Sequence, residues 1–197
     1  MTQKIVLASG NKNKIDELQR LLGNSGYTIV PQSDYVTPEA VEDGLSFVEN
    51  AMIKARNACI HSGLPASADD SGLEVDALDG KPGIYSARFA GENATDALNN
   101  DKLLADLSQV ASAQRTARFR CALVYMRHAQ DTTPYICQGS WNGVILTDPQ
   151  GDHGFGYDPL FFVPTHLCSS AQLNPEIKNK LSHRGIAIRQ LCKLLNI

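Results

Sequence analysis

Two long stretches of alternating apolar and polar residues lie in the second half of the chain, at 118–128 and 134–146. Apolar side chains at every second position, such as Phe119 and Cys121, are typical of strands that bury one face and expose the other. The residues between them, 128–133, read as a loop. The pair therefore predicts a long antiparallel hairpin, which we expect to build part of a second lobe or a surface for self-association.

The rest of the chain combines short apolar runs with helical patterns. Residues 5–8 and 27–30 are typical of buried strands, and residues 15–22 repeat isoleucine and leucine with helical spacing. Capping residues predict three further helix starts, at Ser46, at Thr95 or Asn93, and at Ser182. No internal repeat or proline-rich linker divides the chain, so we expect residues 1–197 to form a single domain with two lobes.

Composition excludes several classes of protein. The 197 residues are 43% hydrophobic and 20% charged, as in ordinary globular proteins, and the net charge of −3 argues against a protein that coats nucleic acid. The five cysteines are scattered without a Cys-x-x-Cys pair, which favours reduced thiols over a disulfide framework or a zinc site. No apolar run approaches the ~18 residues of a membrane span. We therefore expect a cytoplasmic protein with no membrane partner.

The stretch Ala66–Val75 contains two adjacent carboxylates, Asp69 and Asp70, followed by Ser71 and a glycine. We expect a short strand before the acids and a second strand from Leu73. Adjacent carboxylates repel each other and are costly to bury unless a cation, a lysine or a proton accompanies them. Because Asp-Ser-Gly is also common in turns, the stretch taken alone is compatible with a turn or with a metal site.

Residues 9–14, Ser-Gly-Asn-Lys-Asn-Lys, follow the first predicted strand and precede the first predicted helix. In such an arrangement the backbone N–H groups at the helix start can hold a phosphate, and two lysines add positive charge. The hexapeptide is not a Walker A sequence, so a plain strand–helix turn with solvated lysines is equally compatible with it.

Two later segments contain groups suited to a nucleotide. Residues 151–159 interleave three glycines with aromatic residues, so the backbone can approach a ligand closely and Phe155 or Tyr157 can stack on a base. His183 and Arg184 lie at the predicted start of the last helix, where positive charge opposes the helix dipole. That placement points to an anion or a base, although a solvated surface pair is equally compatible.

Taken together, these segments favour a nucleoside polyphosphate bound with Mg²⁺. Lysines and backbone donors for phosphates come from residues 9–14, and carboxylates for a hard cation come from Glu42, Asp69 and Asp70. The loop at 155–158 can close on a base. Further donors lie C-terminal to that loop, at Lys178, His183 and Arg184. In such sites Mg²⁺ bridges phosphate oxygens and orients a water molecule.

The chain resembles the inosine triphosphate pyrophosphatase family, in particular its bacterial members that cleave dITP, ITP and XTP. The resemblance covers essentially the whole chain. It rests on six motifs in order: Ser-Gly-Asn-Lys-Asn-Lys at 9–14, Glu-Asn-Ala at 49–51 with Lys54, Ala-Asp-Asp-Ser-Gly at 68–72, Pro-Gly-Ile-Tyr-Ser-Ala-Arg at 82–88, Gly-Phe-Gly-Tyr-Asp-Pro at 154–159 and Ser-His-Arg-Gly at 182–185. Residues 164–176 match no motif and are expected to be a variable loop.

The resemblance implies an elongated α/β fold, with a central mixed β-sheet, flanking helices and two lobes around a nucleotide-binding cleft. It implies hydrolysis of noncanonical purine nucleoside triphosphates, namely dITP, ITP, XTP and dXTP, to the monophosphate and pyrophosphate. That reaction keeps deaminated purines out of DNA and RNA. The resemblance also implies dependence on Mg²⁺ and a homodimer.

Residue by residue, the resemblance implies that Asp70 is the catalytic carboxylate and a metal ligand, that Glu42 is a second metal ligand, and that Ser71 touches substrate. The triphosphate would be held by the turn formed by Ser9, Gly10, Asn11, Lys12, Asn13 and Lys14. The nucleotide would also be contacted by residues near the C-terminus: Phe155, Gly156, Tyr157, Asp158, Lys178, His183 and Arg184. We expect fixed donors such as Arg184 to favour the 6-oxo group of hypoxanthine or xanthine over the 6-amino group of adenine.

Three alternatives are compatible with parts of the sequence. The related Maf-type nucleotide pyrophosphatases act on other nucleotides, but fewer of their signatures are present. A non-catalytic sensor would bind inosine or xanthosine triphosphates without turnover. The intact Asp69–Asp70 pair, with Glu42 and Lys14, argues against it, because a sensor would not need a base. A structural or interaction protein is the least compatible, because it would not need acids and lysines gathered from separate loops.

Overall fold

The computed structural model of the chain describes residues 3–9, 15, 18, 19 and 26–196. Its strands are β1 (Gln3–Leu7), β2 (Tyr27–Pro31), β3 (Ala66–Val75), β4 (Thr116–Met126), β5 (Tyr135–Ile145), β6 (Phe161–Val163) and β7 (Cys168–Ser169). They form one sheet in the order β2-β1-β3-β4-β5-β6-β7. Strand β1 pairs parallel with β2 and β3, whereas β6 pairs antiparallel with β5 and β7. The expected α/β fold with a mixed sheet is confirmed.

Helices accompany this sheet, and the starts of three of them were predicted from the sequence. They are α1 (Phe47–Ser62), α2 (Asp96–Asp106), α3 (Pro175–Leu181) and α4 (His183–Leu194). The hydroxyls of Ser46, Thr95 and Ser182 accept hydrogen bonds from backbone N–H groups three residues later, as expected of N-caps. Of the helix predicted after β1, the described residues Ile15, Leu18 and Gln19 are helical, and the rest lies outside the described residues.

The predicted hairpin corresponds to β4 and β5, which are neighbours in the sheet. The eight-residue connection between them is too short for the crossover that parallel pairing requires, so the two strands run antiparallel. Trp141 on β5 is 7% exposed and packs near Phe119 and Phe161, with ring centroids 6.3 Å and 5.2 Å away. Trp141 is therefore a core residue.

Strand β3 corrects two expectations. The stretch expected to break at Asp69–Gly72 is one continuous strand of ten residues, and Gly72 does not have a positive φ. Pairing within a sheet satisfies the backbone groups that a turn would otherwise satisfy locally, so it overrides the turn preference of Asp-Ser-Gly. Successive side chains of a strand point to opposite faces, so Asp69 and Asp70 do not lie side by side.

The chain divides into two compact units. The first comprises residues 1–70, 121–138 and 186–197, and the second comprises residues 71–120 and 139–185. The first unit contains two apolar clusters, one around Ile5, Leu123 and Leu191 and one around the alanines of α1. The second unit has its own core around Leu103, Phe119 and Phe161. The single domain with two lobes stays a prediction.

Residues 164–176 are more ordered than a variable loop. They contain β7, a short 3-10 helix at Ser170–Gln172, and the start of α3. The hydroxyl of Ser169 accepts from the backbone N–H of Gln172, and the Gln172 side chain accepts from the backbone N–H of Ser169. This capping box explains the regular structure. None of the helices in the described part of the chain is long and apolar enough to cross a membrane.

Candidate active site

Three charged side chains of the first unit meet around Lys54 of α1. The Lys54 Nζ atom lies 2.9 Å from Oε2 of Glu42 and 3.0 Å from Oδ1 of Asp70. The side chains of Lys54 and Asp70 are 16% and 14% exposed, so this ion pair is largely shielded from water. We call Glu42, Lys54 and Asp70 the acid–lysine cluster. It brings together two of the predicted site residues, which are separated by 28 positions in the sequence.

Asn50 connects the segments that carry the two acids. It lies one turn before Lys54 on α1, so both side chains share a face of the helix. Its Oδ1 accepts from the backbone N–H of Gly44, at 2.9 Å, and its Nδ2 donates to Oδ2 of Asp70, at 3.4 Å. Since Asn50 is 2% exposed, its bonds anchor the chain near Glu42 against the helix that faces Asp70.

The protonation of the cluster reflects burial and pairing together. Burial raises the pKa of Asp70, and the nearby Lys54 ammonium opposes this rise without cancelling it. Burial alone would lower the pKa of Lys54, but the negative charges of Asp70 and Glu42 hold it above its ordinary value. A carboxylate whose pKa is raised is a stronger base than one in water, so Asp70 suits proton abstraction.

The donor set of the cluster fits Mg²⁺. Within the part of the chain that the structure describes, no three histidine, cysteine or acidic side chains form a ready metal-binding group. Mg²⁺ is usually held by one or two carboxylates, with phosphate oxygens and waters completing its shell. Glu42 and Asp70 supply two such carboxylates, both within 3.0 Å of the same ammonium group. A divalent cation favours the ionised form of Asp70, as that ammonium does.

Replacing Lys54 with methionine should raise the pKa of Asp70 further. The change removes the ammonium that opposes the effect of burial, and it leaves the charge of Glu42, which also raises this pKa. The Asp70 carboxyl should then take up its proton at a higher pH than in the wild type. A carbon-detected NMR titration of this carboxyl, without metal or nucleotide, measures the shift.

The matched control for that titration is Lys102→Met. Lys102 also pairs with an aspartate, Asp106 at 2.9 Å, but it lies on α2 and is 40% exposed. The Lys102→Met variant should leave the titration midpoint of Asp70 unchanged. An unchanged midpoint in Lys54→Met would show that the two side chains are not coupled in solution.

The predicted phosphate turn is described only at its first residue. Ser9 follows β1, and its backbone N–H donates to the carbonyl of Leu7 at 2.8 Å. Gly10, Asn11, Lys12, Asn13 and Lys14 lie outside the described residues. Ser71 follows Asp70 directly on β3 and is half-buried. Asp69, which the sequence also suggested for the cation, is 4% exposed and on the opposite face of the strand from Asp70.

In the second unit, Asp158 organises the glycine–aromatic loop, defined here as residues 154–158. Its Oδ2 accepts from the backbone N–H of Phe155 at 2.8 Å and from Lys178 Nζ. Its Oδ1 accepts from the hydroxyl of Ser170 at 2.8 Å. Asp158 is 4% exposed and both of its oxygens are engaged. Its geometry therefore favours holding the loop and Lys178 over contacting a nucleotide directly.

Of the two aromatic residues proposed for stacking, only Phe155 is accessible. Phe155 is 47% exposed, with Lys178 Nζ 5.4 Å and Arg184 Cζ 5.7 Å from its ring centroid. Tyr157 is 4% exposed, and its hydroxyl donates to the carbonyl of Ser86 at 2.8 Å. The structure therefore favours Phe155 as the stacking residue and Tyr157 as its anchor in the core.

The start of α4 is held by packing on β4 and β5. The His183 ring stacks on Phe119, with centroids 4.9 Å apart and an interplanar angle of 13°. Gly139 of β5 lies under the same residue, because a Cβ there would be 2.8 Å from the carbonyl carbon of His183 and nearer still to its oxygen. Arg184, the next residue, lies near Phe155 together with Lys178. The structure thus brings Phe155, Lys178 and Arg184 together.

Several residues of these clusters carry little or no signal in the sequence. Lys54 and Asn50 appeared only as parts of a motif, although their spacing of four on a predicted helix indicates a shared face. Ser170 had no signal, because residues 164–176 matched no pattern. Asp96 and Asn100 of α2, which bind the loop at Gly156, gave the same spacing signal as Asn50 and Lys54.

The family model, the similar sequences and the similar structures all indicate the same family. The model of the Ham1 family matches residues 5–194. The dITP/XTP pyrophosphatase of Photobacterium profundum is 58% identical over 188 residues, which cover 95% of each chain. That of Thioalkalivibrio sulfidiphilus is 57% identical over 192 residues, which cover 98% of each chain. Among solved structures, a HAM1 protein from Coxiella burnetii matches with a TM-score of 0.95 at 46% identity over 98% of each chain.

These matches span nearly the whole chain and agree with the ordered motifs, so the resemblance to the inosine triphosphate pyrophosphatases is confirmed. The mixed sheet and its helices agree with the same conclusion. With a model match over residues 5–194 and relatives more than half identical, the chain belongs to the Ham1 family.

Proposed function

We propose that the protein hydrolyses dITP, ITP, XTP and dXTP to the nucleoside monophosphate and pyrophosphate, and so keeps deaminated purines out of DNA and RNA. The observation that carries this proposal is the acid–lysine cluster, in which Lys54 Nζ lies within 3.0 Å of both Glu42 and Asp70. Close relatives of the chain are dITP/XTP pyrophosphatases, which supports the choice of substrate class.

Asp70 is the proposed general base. It takes a proton from a water molecule whose oxygen forms a bond to the α-phosphorus of the nucleotide. The bond from that phosphorus to the bridging oxygen of the β-phosphate breaks, and pyrophosphate leaves with the electron pair. Burial raises the pKa of Asp70, which strengthens its carboxylate as a base.

Glu42 and Asp70 are the proposed ligands of Mg²⁺, because their oxygens are the hard donors that this ion prefers. When bound, the ion neutralises phosphate charge and lowers the pKa of a coordinated water. Lys54 holds the two carboxylates close together in the free enzyme and adds positive charge beside the phosphates. Asn50 keeps the Glu42 segment and Asp70 in register.

The remaining predicted residues are proposed to bind the nucleotide. The turn of Ser9 to Lys14 and the hydroxyl of Ser71 hold the triphosphate. Phe155 stacks on the purine, and Lys178, His183 and Arg184 donate to base or phosphate oxygens. Gly156 and Tyr157 contribute through the loop backbone, and Asp158 acts by holding Lys178 and Phe155 in place.

The test is pyrophosphate release from dITP, ITP, XTP, ATP and GTP by the purified protein, with Mg²⁺ and with a chelator in excess. We expect rapid, Mg²⁺-dependent release from the first three substrates and slow release from ATP and GTP. Nucleotide binding without pyrophosphate release would instead identify a sensor. Equal hydrolysis of all five substrates would refute the proposed selectivity.

Replacing Arg184 with alanine should lower kcat/KM for ITP at least about tenfold more than for ATP. The two substrates differ at position 6 of the purine, where an arginine N–H can donate to an oxo group but not to an amino group. Steady-state kinetics with both substrates measure the difference. The control is Arg189→Ala, which removes an exposed arginine from the same helix. Equal losses for ITP and ATP would assign Arg184 to the phosphates instead.

We further infer that the protein is a cytoplasmic homodimer, which is what the resemblance implies. Light scattering coupled to size-exclusion chromatography tests the dimer directly. A mass corresponding to a single 21.4 kDa chain at working concentrations would contradict it.

A further inference from the structure

Two side chains of α2 bind both polar groups of one residue in the glycine–aromatic loop. The backbone N–H of Gly156 donates to Oδ2 of Asp96 at 2.6 Å. The carbonyl oxygen of Gly156 accepts from Nδ2 of Asn100 at 2.9 Å. Asp96 and Asn100 are one helical turn apart, so they present the acceptor and the donor on the same face of α2. We call this pair the Gly156 clamp.

The clamp acts where the loop backbone is least constrained by regular structure. Gly154 and Gly156 have φ angles of 86° and 62°, and residues 146–157 belong to no strand or helix. Without external bonds, such a segment samples many conformations, and each ordered residue costs conformational entropy. The clamp removes this freedom at the residue directly after Phe155.

The loop is therefore fixed on both sides of Gly156. Tyr157 is buried and its hydroxyl donates to the Ser86 carbonyl, whereas Phe155 is 47% exposed. The backbone N–H of Phe155 is held by Asp158. With its own N–H and the following peptide both bonded, the direction in which the Phe155 ring projects depends on Asp158 and on the clamp.

Asn100 gives an independent sign that the bond to Gly156 matters. Its Oδ1 atom is buried and has no hydrogen-bond partner among the residues that the structure describes. A buried acceptor without a partner is unfavourable, and an apolar side chain of similar size would avoid this cost. We therefore attribute the presence of an asparagine at this position to the hydrogen bond from its Nδ2 to the Gly156 carbonyl, which an apolar residue cannot form.

We propose that Asp96 and Asn100 are positioning residues that orient Phe155 for stacking on the purine. They do not touch the nucleotide and act through the Gly156 peptide. This inference rests on the proposed role of Phe155 in binding the base. It extends the site to a helix that contains none of the residues predicted from the sequence.

A double-mutant cycle tests the proposal with steady-state kinetics on dITP. Phe155→Ala should raise KM about tenfold, because stacking on one aromatic ring contributes affinity of that order. Asp96→Ala should raise KM by a similar factor with little change in kcat, because it misplaces the ring and not the reacting groups. In the double variant, the two effects should not add, since the clamp has no ring left to orient.

Conservative variants separate positioning from a general structural role. Asp96→Asn keeps an oxygen acceptor for the Gly156 N–H and should restore most of the wild-type KM. Asn100→Asp keeps the shape but faces the Gly156 carbonyl with a second acceptor, so it should raise KM as Asp96→Ala does. The matched control is Asp101→Ala, an exposed position on the same helix, which should leave KM unchanged.

The possible outcomes distinguish the clamp inference from the proposed role of Phe155. If Phe155→Ala leaves KM unchanged, the proposed role of this ring in base binding is refuted, and the clamp inference falls with it. If Phe155→Ala raises KM but Asp96→Ala and Asn100→Asp do not, only the clamp inference is refuted. Additive effects in the double variant would also overturn it, because the clamp would then act independently of Phe155.

Discussion

Changing Asp70 to asparagine should lower kcat for dITP hydrolysis about a thousandfold, because loss of a general base typically costs 10²–10⁴ in rate. The amide keeps the size of the side chain but cannot accept the proton of the attacking water. It also removes one of the two carboxylates that fit Mg²⁺, so the concentration of Mg²⁺ giving half-maximal rate should rise. Both quantities come from pyrophosphate release at saturating dITP.

The loss should not come from unfolding. Burial raises the pKa of Asp70 above its value in the unfolded chain, so its ionised form costs folding free energy at neutral pH. An uncharged amide has no such cost, although it gives up the ion pair with Lys54. We therefore expect the thermal unfolding midpoint to lie within a few degrees of the wild type.

Asp43→Asn is the matched control for this experiment. Asp43 is exposed, lies next to Glu42 and has the same chemistry as Asp70 without its burial or its bond to Lys54. Its kcat should equal that of the wild type. Asp70→Asn with more than about a tenth of the wild-type kcat would rule Asp70 out as the base.

Gly139→Ala should destabilise the protein by about 3 kcal/mol, the upper part of the range for an overpacked site. The added Cβ would lie 2.8 Å from the carbonyl carbon of His183 and 3.1 Å from its Cα, so the backbone at the start of α4 must move. Backbone cannot rotate away as a flexible side chain can. For a chain of this length the change corresponds to a fall in Tm of about 6–12 °C, measured by calorimetry.

The same substitution should affect the candidate site as well. Moving His183 away from β5 disturbs its stacking on Phe119 and shifts Arg184, which lies beside Phe155. Ser140→Ala, at the next position of β5 and on its opposite face, controls for a change in that strand and should leave Tm nearly unchanged. A Gly139→Ala variant as stable as Ser140→Ala would show that α4 does not pack this closely on β5.

Much of the local structure was predictable because it depends on neighbouring residues. The alternation at 118–128 and 134–146 predicts β4 and β5, since one face of each strand must be buried. The caps at Ser46, Thr95 and Ser182 were predictable for the same reason, because each hydroxyl satisfies an N–H only three residues away. In β3, pairing with strands that are distant in the sequence overrides the local turn preference of Asp-Ser-Gly.

The candidate site was predictable in its chemistry but not in its connections. The sequence suggested Glu42, Asp69 and Asp70 as carboxylates for a cation, and Phe155 or Tyr157 as an aromatic residue for a base. That Lys54 bridges the two acids and that Asp158 is buried depends on residues up to 28 positions apart. No periodicity within one segment encodes such pairs.

The sequence by itself determined the family, four of the strands and three of the helix starts, because these follow from short motifs, local hydrogen bonds and hydrophobic periodicity. Only the tertiary structure decided that Asn50 and Lys54 donate to the Asp70 carboxylate and that Asp96 and Asn100 bind Gly156. The physical reason is that a hydrogen bond or ion pair forms between atoms that folding brings within about 3 Å. Which distant atoms meet depends on how helices pack on the sheet.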